Sequence, residues 1–452
     1  MNWKKIAVLA FVLALLSATI VFVNQKEKAK LAVEGILLDI PAATIEKIEL
    51  RNKTDRFSFS RRDVLWHLDA PLAAKADKAV LEGILDNFCR LKYDRLVAEN
   101  VAALEDFGLD EPEIELKLIA KGRPATIILL GMKNTIDDSS YAKLGDGSKV
   151  VTIASYLRQA LEKDLFAFRD KKVLEIDTMA VAALEYRRES SVLAFAKKEG
   201  RWFLEKPLYS LAQESKVSDL LAAVADLQAL SFAPAPGSGA FGEFGLDQPA
   251  LVAEFRSTSG SRKITIGRKG EQYYALAAGA TEICGIAKDL LDKFAADAAV
   301  FREKKVAPFF AFDVNEIAFR RGDFRFSARK DASGAWKLDR EVPGKKLSQE
   351  KIETLLTSLA DLEAREFIDE ARALPPFPIR ITMKTEDPAR GEKPGSIAIE
   401  LGDAEGETVI VRNPALPYQF KVGKEFLQKL PTKLDDLCAG GVNGDVPAGQ
   451  GG

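Results

Sequence analysis

The sequence predicts an α+β fold: three tandem homologous modules of antiparallel sheet packed with helices, preceded by one transmembrane helix. Three observations predict it. Trp66, Trp202 and Trp336 recur at spacings of 136 and 134 residues. A stripe of apolar residues at helical spacing follows each of them at nearly the same offset. The residues around each Trp alternate apolar and polar, the period-two mark of strands with one buried face.

Composition bounds what such a chain can do. Its 452 residues are 29% charged and 47% hydrophobic, an ordinary globular balance. At roughly 150 residues per domain, three domains fit. Lys and Arg number 65 against 67 Asp and Glu, without the basic excess of a general nucleic-acid binder. One histidine, His67, and three cysteines leave little material for a His-based triad, a His-rich metal site or a disulfide framework. No cofactor, metal or nucleic-acid partner is expected.

Residues 1–30 are read as a transmembrane signal-anchor. Residues 6–23 carry no charge, and 18 residues of helix span roughly 27 Å, close to the hydrocarbon thickness of a bilayer. A cleaved signal peptide is the competing reading. The apolar run is longer than the usual h-region, and Leu16 two positions before Ala18 makes a poor cleavage site. Lys4 and Lys5 precede the run and Lys26, Lys28 and Lys30 follow it, so the positive-inside count is nearly balanced. N-in, C-out is preferred because a short leader before one apolar span commonly acts as an export signal. The expected location is the inner (cytoplasmic) membrane, single-pass, with the bulk of the chain extracytoplasmic. A cytoplasmic-facing tether differs only in orientation.

The modules are placed at 34–173, 174–306 and 307–437, the third being degenerate, with 438–452 read as a disordered Gly-rich tail. A hairpin opens each: Ile48, Leu50, Phe57 and Phe59; then Leu184, Tyr186, Leu193 and Phe195; then Ile317, Phe319, Phe324 and Phe326. The Trp strand adds Leu68, Leu204 or Leu338 two residues on. The helix stripes are Leu81, Ile84, Leu85, Phe88 and Leu91; Val217, Leu220, Leu221, Val224 and Leu227; and Ile352, Leu355, Leu356, Leu359 and Leu362. Asp77 and Ser348 are the candidate N-caps. Turns Phe107-Gly-Leu-Asp-Glu-Pro112 and Phe244-Gly-Leu-Asp-Gln-Pro249 follow in the first two copies, where Gly permits positive φ and Pro sets an extended exit. The third copy has Leu374-Pro-Pro-Phe-Pro378 instead. A later strand ends on Gly131, Gly267 or Gly402. Second helices are expected at 155–168, 288–301 and 424–434. The first two copies close on Arg169-Asp-Lys-Lys-Val173 and Arg302-Glu-Lys-Lys-Val306.

These motifs together resemble the domain-of-unknown-function family 4340. The carriers are the apolar N-terminus, Trp66 to Pro71 and Trp202 to Pro207, Lys75-Ala-Asp77, the two Phe-Gly-Leu-Asp-x-Pro turns, Gly131 and Gly267 with Tyr141 and Tyr274, and the basic closers. The match covers most of 34–306 and weakly the rest. The resemblance implies a membrane-tethered envelope protein, found beside gliding-motility-type ABC transporter components, with no settled biochemical role.

Candidate chemistry is thin. His67 lies in a strand where the other copies have Phe203 and Lys337, so it reads as a surface residue. Gly237-Ser-Gly-Ala-Phe-Gly242 matches a phosphate-loop pattern in letters but lacks the preceding strand and following helix. Asp137-Asp138 and Asp435-Asp436 lack calcium-loop spacing. Cys89, Cys284 and Cys438 occupy unrelated repeat positions. Trp66, Trp202 and Trp336 read as core residues, with sugar or peptide stacking as the alternative. Arg169 and Arg302 read as helix-terminal charges or as inter-domain or partner contacts. The function expected is a membrane-anchored, non-enzymatic binding or scaffold protein of the envelope, accessory to an ABC-type transport complex. The alternative is an extracytoplasmic carbohydrate-binding or cell-wall-modifying protein.

Overall fold

Period-two alternation builds one large antiparallel sheet per repeat. The structure, a computed structural model, describes residues 35–101, 103–234, 241–369, 377–385 and 395–439. In the first module the sheet runs from Ala74–Lys75 at one edge through Leu65–Ala70, Arg56–Arg62 and Ile45–Arg51. It continues through Ile114–Ala120, Thr126–Lys133, Ser140–Leu144 and Lys149–Ile153 to Arg95–Glu99. The second module repeats this nine-strand order, and the third has eight strands. A two-stranded sheet of Gly35–Asp39 with Arg90–Tyr93 completes the first module. Registers coincide: Leu50 faces Phe57, Tyr186 faces Leu193, and Phe319 faces Phe326.

One face of each sheet is apolar and takes a single helix: Lys78–Phe88, Glu214–Ala225 or Gln349–Ala360. Leu81, Ile84, Leu85 and Phe88 point onto the first sheet, and Val217, Leu220, Leu221 and Val224 onto the second. Ile352, Leu355, Leu356 and Leu359 do so in the third. Each such side chain contributes about 1.5–3 kcal/mol on burial. Asp77 caps the first helix by accepting from the Val80 N–H at 3.1 Å, and Ser348 caps the third by accepting from the Lys351 N–H at 3.4 Å.

The α+β expectation needs correction. The chain is predominantly antiparallel sheet, because one helix of 11 or 12 residues covers each eight- or nine-stranded sheet. The expected second helices are short pieces: Ser155–Leu161 and Leu165–Phe168, then Asp289–Lys293 and the 3₁₀ turn Ala298–Phe301. The third copy has the 3₁₀ turns Lys424–Lys429 and Leu434–Leu437. Asp164 and Asp297 cause the first two breaks, each accepting from a backbone N–H and restarting the helix (Ala167 at 2.8 Å, Ala299 at 2.9 Å). The described residues likewise do not support the predicted transmembrane helix. Among the described residues no helix is long and apolar enough to cross a membrane, and residues 1–34, with the apolar run 6–23, lie outside them. The tail boundary also shifts. Cys438, placed in the tail, is buried and bridges Leu347; residues 440–452 lie outside the described residues.

The chain divides into two compact units at Lys171/Lys172, and the second holds modules two and three. The strands expected to end on Gly131, Gly267 and Gly402 run on to Lys133, Lys269 and Glu405. In each unit a Phe-Gly-Leu-Asp turn rests on one of the first two of these glycines. Gly108 and Gly245 adopt φ of 62° and 66°. A Cβ on Gly131 would overlap the Phe107 carbonyl oxygen, and one on Gly267 would overlap that of Phe244. The ring ahead of each turn then meets a tyrosine edge-on, Phe107 with Tyr141 and Phe244 with Tyr274, both at 5.0 Å. Residues 107, 131 and 141, far apart in sequence, are therefore one packing unit.

Gly131→Ala is expected to lower stability by about 1–3 kcal/mol, since its obstacle is backbone that cannot rotate away. Gly83→Ala, in the first helix with nothing near its added methyl, is expected to raise stability by about 0.5–1 kcal/mol. Urea midpoints of the two variants, moving in opposite directions, check the pair.

Candidate functional site

Trp66, Trp202 and Trp336 occupy equivalent places, each no more than 3% exposed in its own module's core. A cation stands directly across the hairpin from every one: Arg61, Lys197 and Lys330. Arg61 lies 5.8 Å from the Trp66 ring centroid and Lys330 lies 5.4 Å from that of Trp336. The Trp66 and Trp202 carbonyls accept from the N–H of Ala76 and Ala212, at 3.0 and 2.9 Å. In the third module the Gln349 side chain takes that role, accepting from the Trp336 N–H at 2.7 Å and donating to its carbonyl at 3.2 Å.

Arg169 and Arg302 are also equivalent, and their backbone explains why. Each follows the last short helical turn and bridges the residue before the first helix, Ala76 for Arg169 and Ala212 for Arg302. Cys438 does the same at Leu347. The N–H groups of Asp77, Gln213 and Ser348 donate to the carbonyls of Phe168, Phe301 and Leu437 at 2.9, 2.7 and 2.9 Å. The chain thus returns to fasten the start of each helix, using N–H groups that a helix end leaves unpaired. Further along the same strings, Val173 donates to Leu227 at 3.1 Å and Val306 to Leu362 at 3.0 Å, past the ends of the second and third helices. The closing string therefore ends one module and begins the next.

Both arginines are 5% exposed, and Arg302 carries the richest polar site in the second unit. Its guanidinium grips Asp369 in two parallel bonds of 2.8 and 2.6 Å and donates through Nε to Ser210 Oγ at 3.1 Å. The Phe367 ring centroid lies 3.7 Å from it and that of Tyr418 5.1 Å. Tyr418 Oη accepts from the Leu211 N–H at 3.0 Å and from Ser210 Oγ at 3.3 Å. Burial pushes the Tyr418 phenol above its ordinary range, with the Ser210 hydroxyl, the Leu211 N–H and the Arg302 charge opposing. The phenol therefore stays neutral. Ser210, Leu211 and Arg302 belong to module two; Asp369, Phe367 and Tyr418 belong to module three. The arrangement recognises one planar cation and joins two modules; it presents no nucleophile with a base.

Two further features escape sequence reasoning. Arg158 is 1% exposed and donates to the Gly131 carbonyl at 2.7 Å and to Glu162 at 2.7 Å, while also pairing with Glu113. Burial raises the Glu113 carboxyl, but the bond from Lys53 and the charges of Arg158 and Lys53 outweigh it and hold it low. Second, a residue at or just past the end of each hairpin's first strand caps the second helical segment. Asn52 donates to the carbonyls of Leu161 and Lys163, Arg188 to those of Leu291 and Phe294, and Arg321 to those of Leu427 and Leu430. No common letter advertises this position.

The remaining candidates do not converge. His67 faces away from the core beside Ser60 and Lys75. Asp137 closes a turn onto Ser139, whose hydroxyl bond holds its carboxyl low. Asp435 pairs with Lys345, and Asp436 accepts from Thr432 and Lys433. The pattern at 237–242 lies mostly outside the described residues. Among the described residues no three His, Cys, Asp or Glu side chains gather as a metal site. Burial, then the nearby Asp86, pushes the Cys89 thiol up to about 11.

Arg302→Ala is expected to destabilise the second unit by about 2–3 kcal/mol, the worth of charge-assisted bonds with one half-exposed partner. Arg302→Lys should recover less than half, because an ammonium cannot span both Asp369 oxygens. Urea unfolding of Arg302→Ala, Asp369→Ala and the double variant checks this through a coupling energy above about 1 kcal/mol. For Cys89 the raised pKa sets the sign: at pH 8 only about one thiol in a thousand is thiolate. Native protein treated with iodoacetamide at pH 8 is expected to label Cys284 well ahead of Cys89 by mass spectrometry; equal rates would contradict the burial argument.

No curated protein matches the chain. Among solved structures, the DNA polymerase sliding clamp from Pseudomonas aeruginosa with ligand aligns at 7% identity over 85% of this chain and 93% of that one. The TM-score is 0.15, too low to carry an argument. The family described as domain of unknown function (DUF4340) matches residues 66–239 and again 202–378. Each match starts on one of the recurring tryptophans, and together they cover well over half of the chain. The protein is a tandem-repeat member of the DUF4340 family.

Proposed function

We propose that the chain is a membrane-anchored, non-enzymatic binding or scaffold protein of the cell envelope, accessory to an ABC-type transport complex. One observation carries the reading: Arg302 fastens two homologous modules into a single unit through Asp369, Ser210, Phe367 and Tyr418. Modules fixed to one another present their outward sheet faces at a constant separation, which gives a second contact a high effective concentration. The letters that recur across the copies serve packing and closure, and outward-facing positions such as 115, 252 and 380 change in charge between copies. Location at the inner membrane, with the modules extracytoplasmic, is supported by the apolar run 6–23 and its flanking lysines. The transporter association is supported by the family resemblance alone. The carbohydrate-binding alternative loses its aromatic platform, because the three recurring indoles lie inside the modules.

Cross-linking in intact membranes followed by capture of the full chain is expected to recover a transporter subunit as a stoichiometric partner. Recovery of no protein partner overturns the scaffold reading. A C-terminal alkaline phosphatase fusion is expected to be active, and an inactive but expressed fusion reverses the orientation.

A further inference from the structure

Corresponding positions in the three modules differ in charge on the outward sheet face. One cross-strand row shows it. In module one the row reads Arg56, Arg51, Glu115; in module two Val192, Arg187, Val252; in module three Arg325, Arg320, Arg380. Directly opposed residues lie about 4.5–5.5 Å apart at Cα. In module one the Glu115 carboxylate pairs with Arg51 at 3.3 Å and with Lys117 at 3.2 Å. In module three the same position is Arg380, so three guanidiniums stand abreast and exposed. The next residue in the row, Glu400, pairs with Arg412 at 2.5 Å and with Arg380 at 3.5 Å, which leaves Arg320 and Arg325. Neighbouring cations on this face are paired: Arg329 with Asp339, Lys337 with Asp331 and Lys384 with Glu316. Among the described residues no carboxylate pairs with Arg320 or Arg325. Like charges directly opposed on a sheet are destabilising, and the fold does not require three abreast, since the other two modules do without.

We propose that this row is the docking surface for an acidic segment of a partner protein, whose carboxylates supply the anion that Arg320 and Arg325 lack. The choice of carboxylate comes from the chain itself: Glu115 in module one and Glu400 beside the row show which group fits between these guanidiniums. Guanidiniums grip carboxylates with paired parallel bonds. The proposal rests on the binding reading above and names its partner chemistry and its face.

Arg320→Glu is the decisive variant. It places a carboxylate between Arg325 and Arg380, so that the row, continuing through Glu400 and Arg412, alternates in sign. The full-length variant is expected to bind a synthetic peptide of six glutamates at least 10-fold more weakly than the parent chain. Its thermal midpoint should rise by about 1–3 °C, so the loss cannot be assigned to misfolding. A six-glutamine peptide should bind neither. Equal affinity of parent and variant for the glutamate peptide overturns the proposal. So does a variant that loses binding only to vesicles containing 30% phosphatidylserine, which would give the row to a lipid surface. Recovery of a cross-linked partner unaffected by Arg320→Glu would leave the scaffold reading intact and remove this face from it. Row-dependent peptide binding without any cross-linked transporter subunit would remove the transport role alone.

Discussion

A pleated sheet has two faces, and in each module the long helix covers only one. That constraint sets almost everything else. Alternation along the strands sends Leu50, Phe57, Phe59 and Trp66 to one side and Arg51, Ser58 and His67 to the other. A helix of three turns, lying on the apolar side, must then be held in place at both ends. The returning chain fastens its start through Phe168, Phe301 or Leu437. Gly131 and Gly267 let the Phe-Gly-Leu-Asp turns come close against the opposite side of the sheet. Away from these turns the outward face is released from packing and free to differ between copies.

The closing strings show how one sequence position can serve two neighbours. In Arg302-Glu-Lys-Lys-Val306 the first two residues complete module two by bonding back to it, and Val306 enters the core of module three. Folding of one module therefore positions the first residue of the next, a local coupling that does not depend on a large interface. Arg302 adds a side-chain component to this. Its guanidinium stacks on Phe367 while the fork holds Asp369, so an aromatic face and a carboxylate are satisfied by one planar group. Such deep burial is tolerable for this charge only because its donors reach Ser210 and both Asp369 oxygens.

Much of this is legible in the sequence because it is written in periodicities. The stripe from Leu81 to Phe88, the caps Asp77 and Ser348, and the positive-φ Gly108 and Gly245 each follow from one local rule. Patterning overstates the helix content for a physical reason. Asp164 and Asp297 look like ordinary polar residues in a helical pattern, yet each bonds a backbone N–H and starts a new turn. It understates the weight of strand because the strands beyond the Phe-Gly-Leu-Asp turn, such as Gly260–Lys269, carry mixed apolar and charged residues rather than a clean alternation. The helix-capping position eludes pattern reading altogether. Asn52, Arg188 and Arg321 share a task and a place but no chemistry beyond a donor, so only their positions after Leu50, Tyr186 and Phe319 group them. Arg158 offers no signal either, since a surface arginine and a buried one are spelled alike.

Tandem copies of one fold supply their own control experiment. Position 115 in the first module, 252 in the second and 380 in the third share strand, register and face. Backbone propensity, twist and neighbouring core are held constant across them, so the change from Glu to Val to Arg cannot be attributed to any need of the sheet. The inward positions on the same three strands tell the opposite story. Leu116, Ala253 and Ile381 are all fully buried, confined to apolar side chains by the helix above them. Where the scaffold imposes a requirement, the copies agree in type; where it imposes none, they diverge in charge. On that unconstrained side Arg380 is paired with Glu400, while Arg320 and Arg325 have no carboxylate among the described residues, and a carboxylate-bearing partner is what their geometry accommodates.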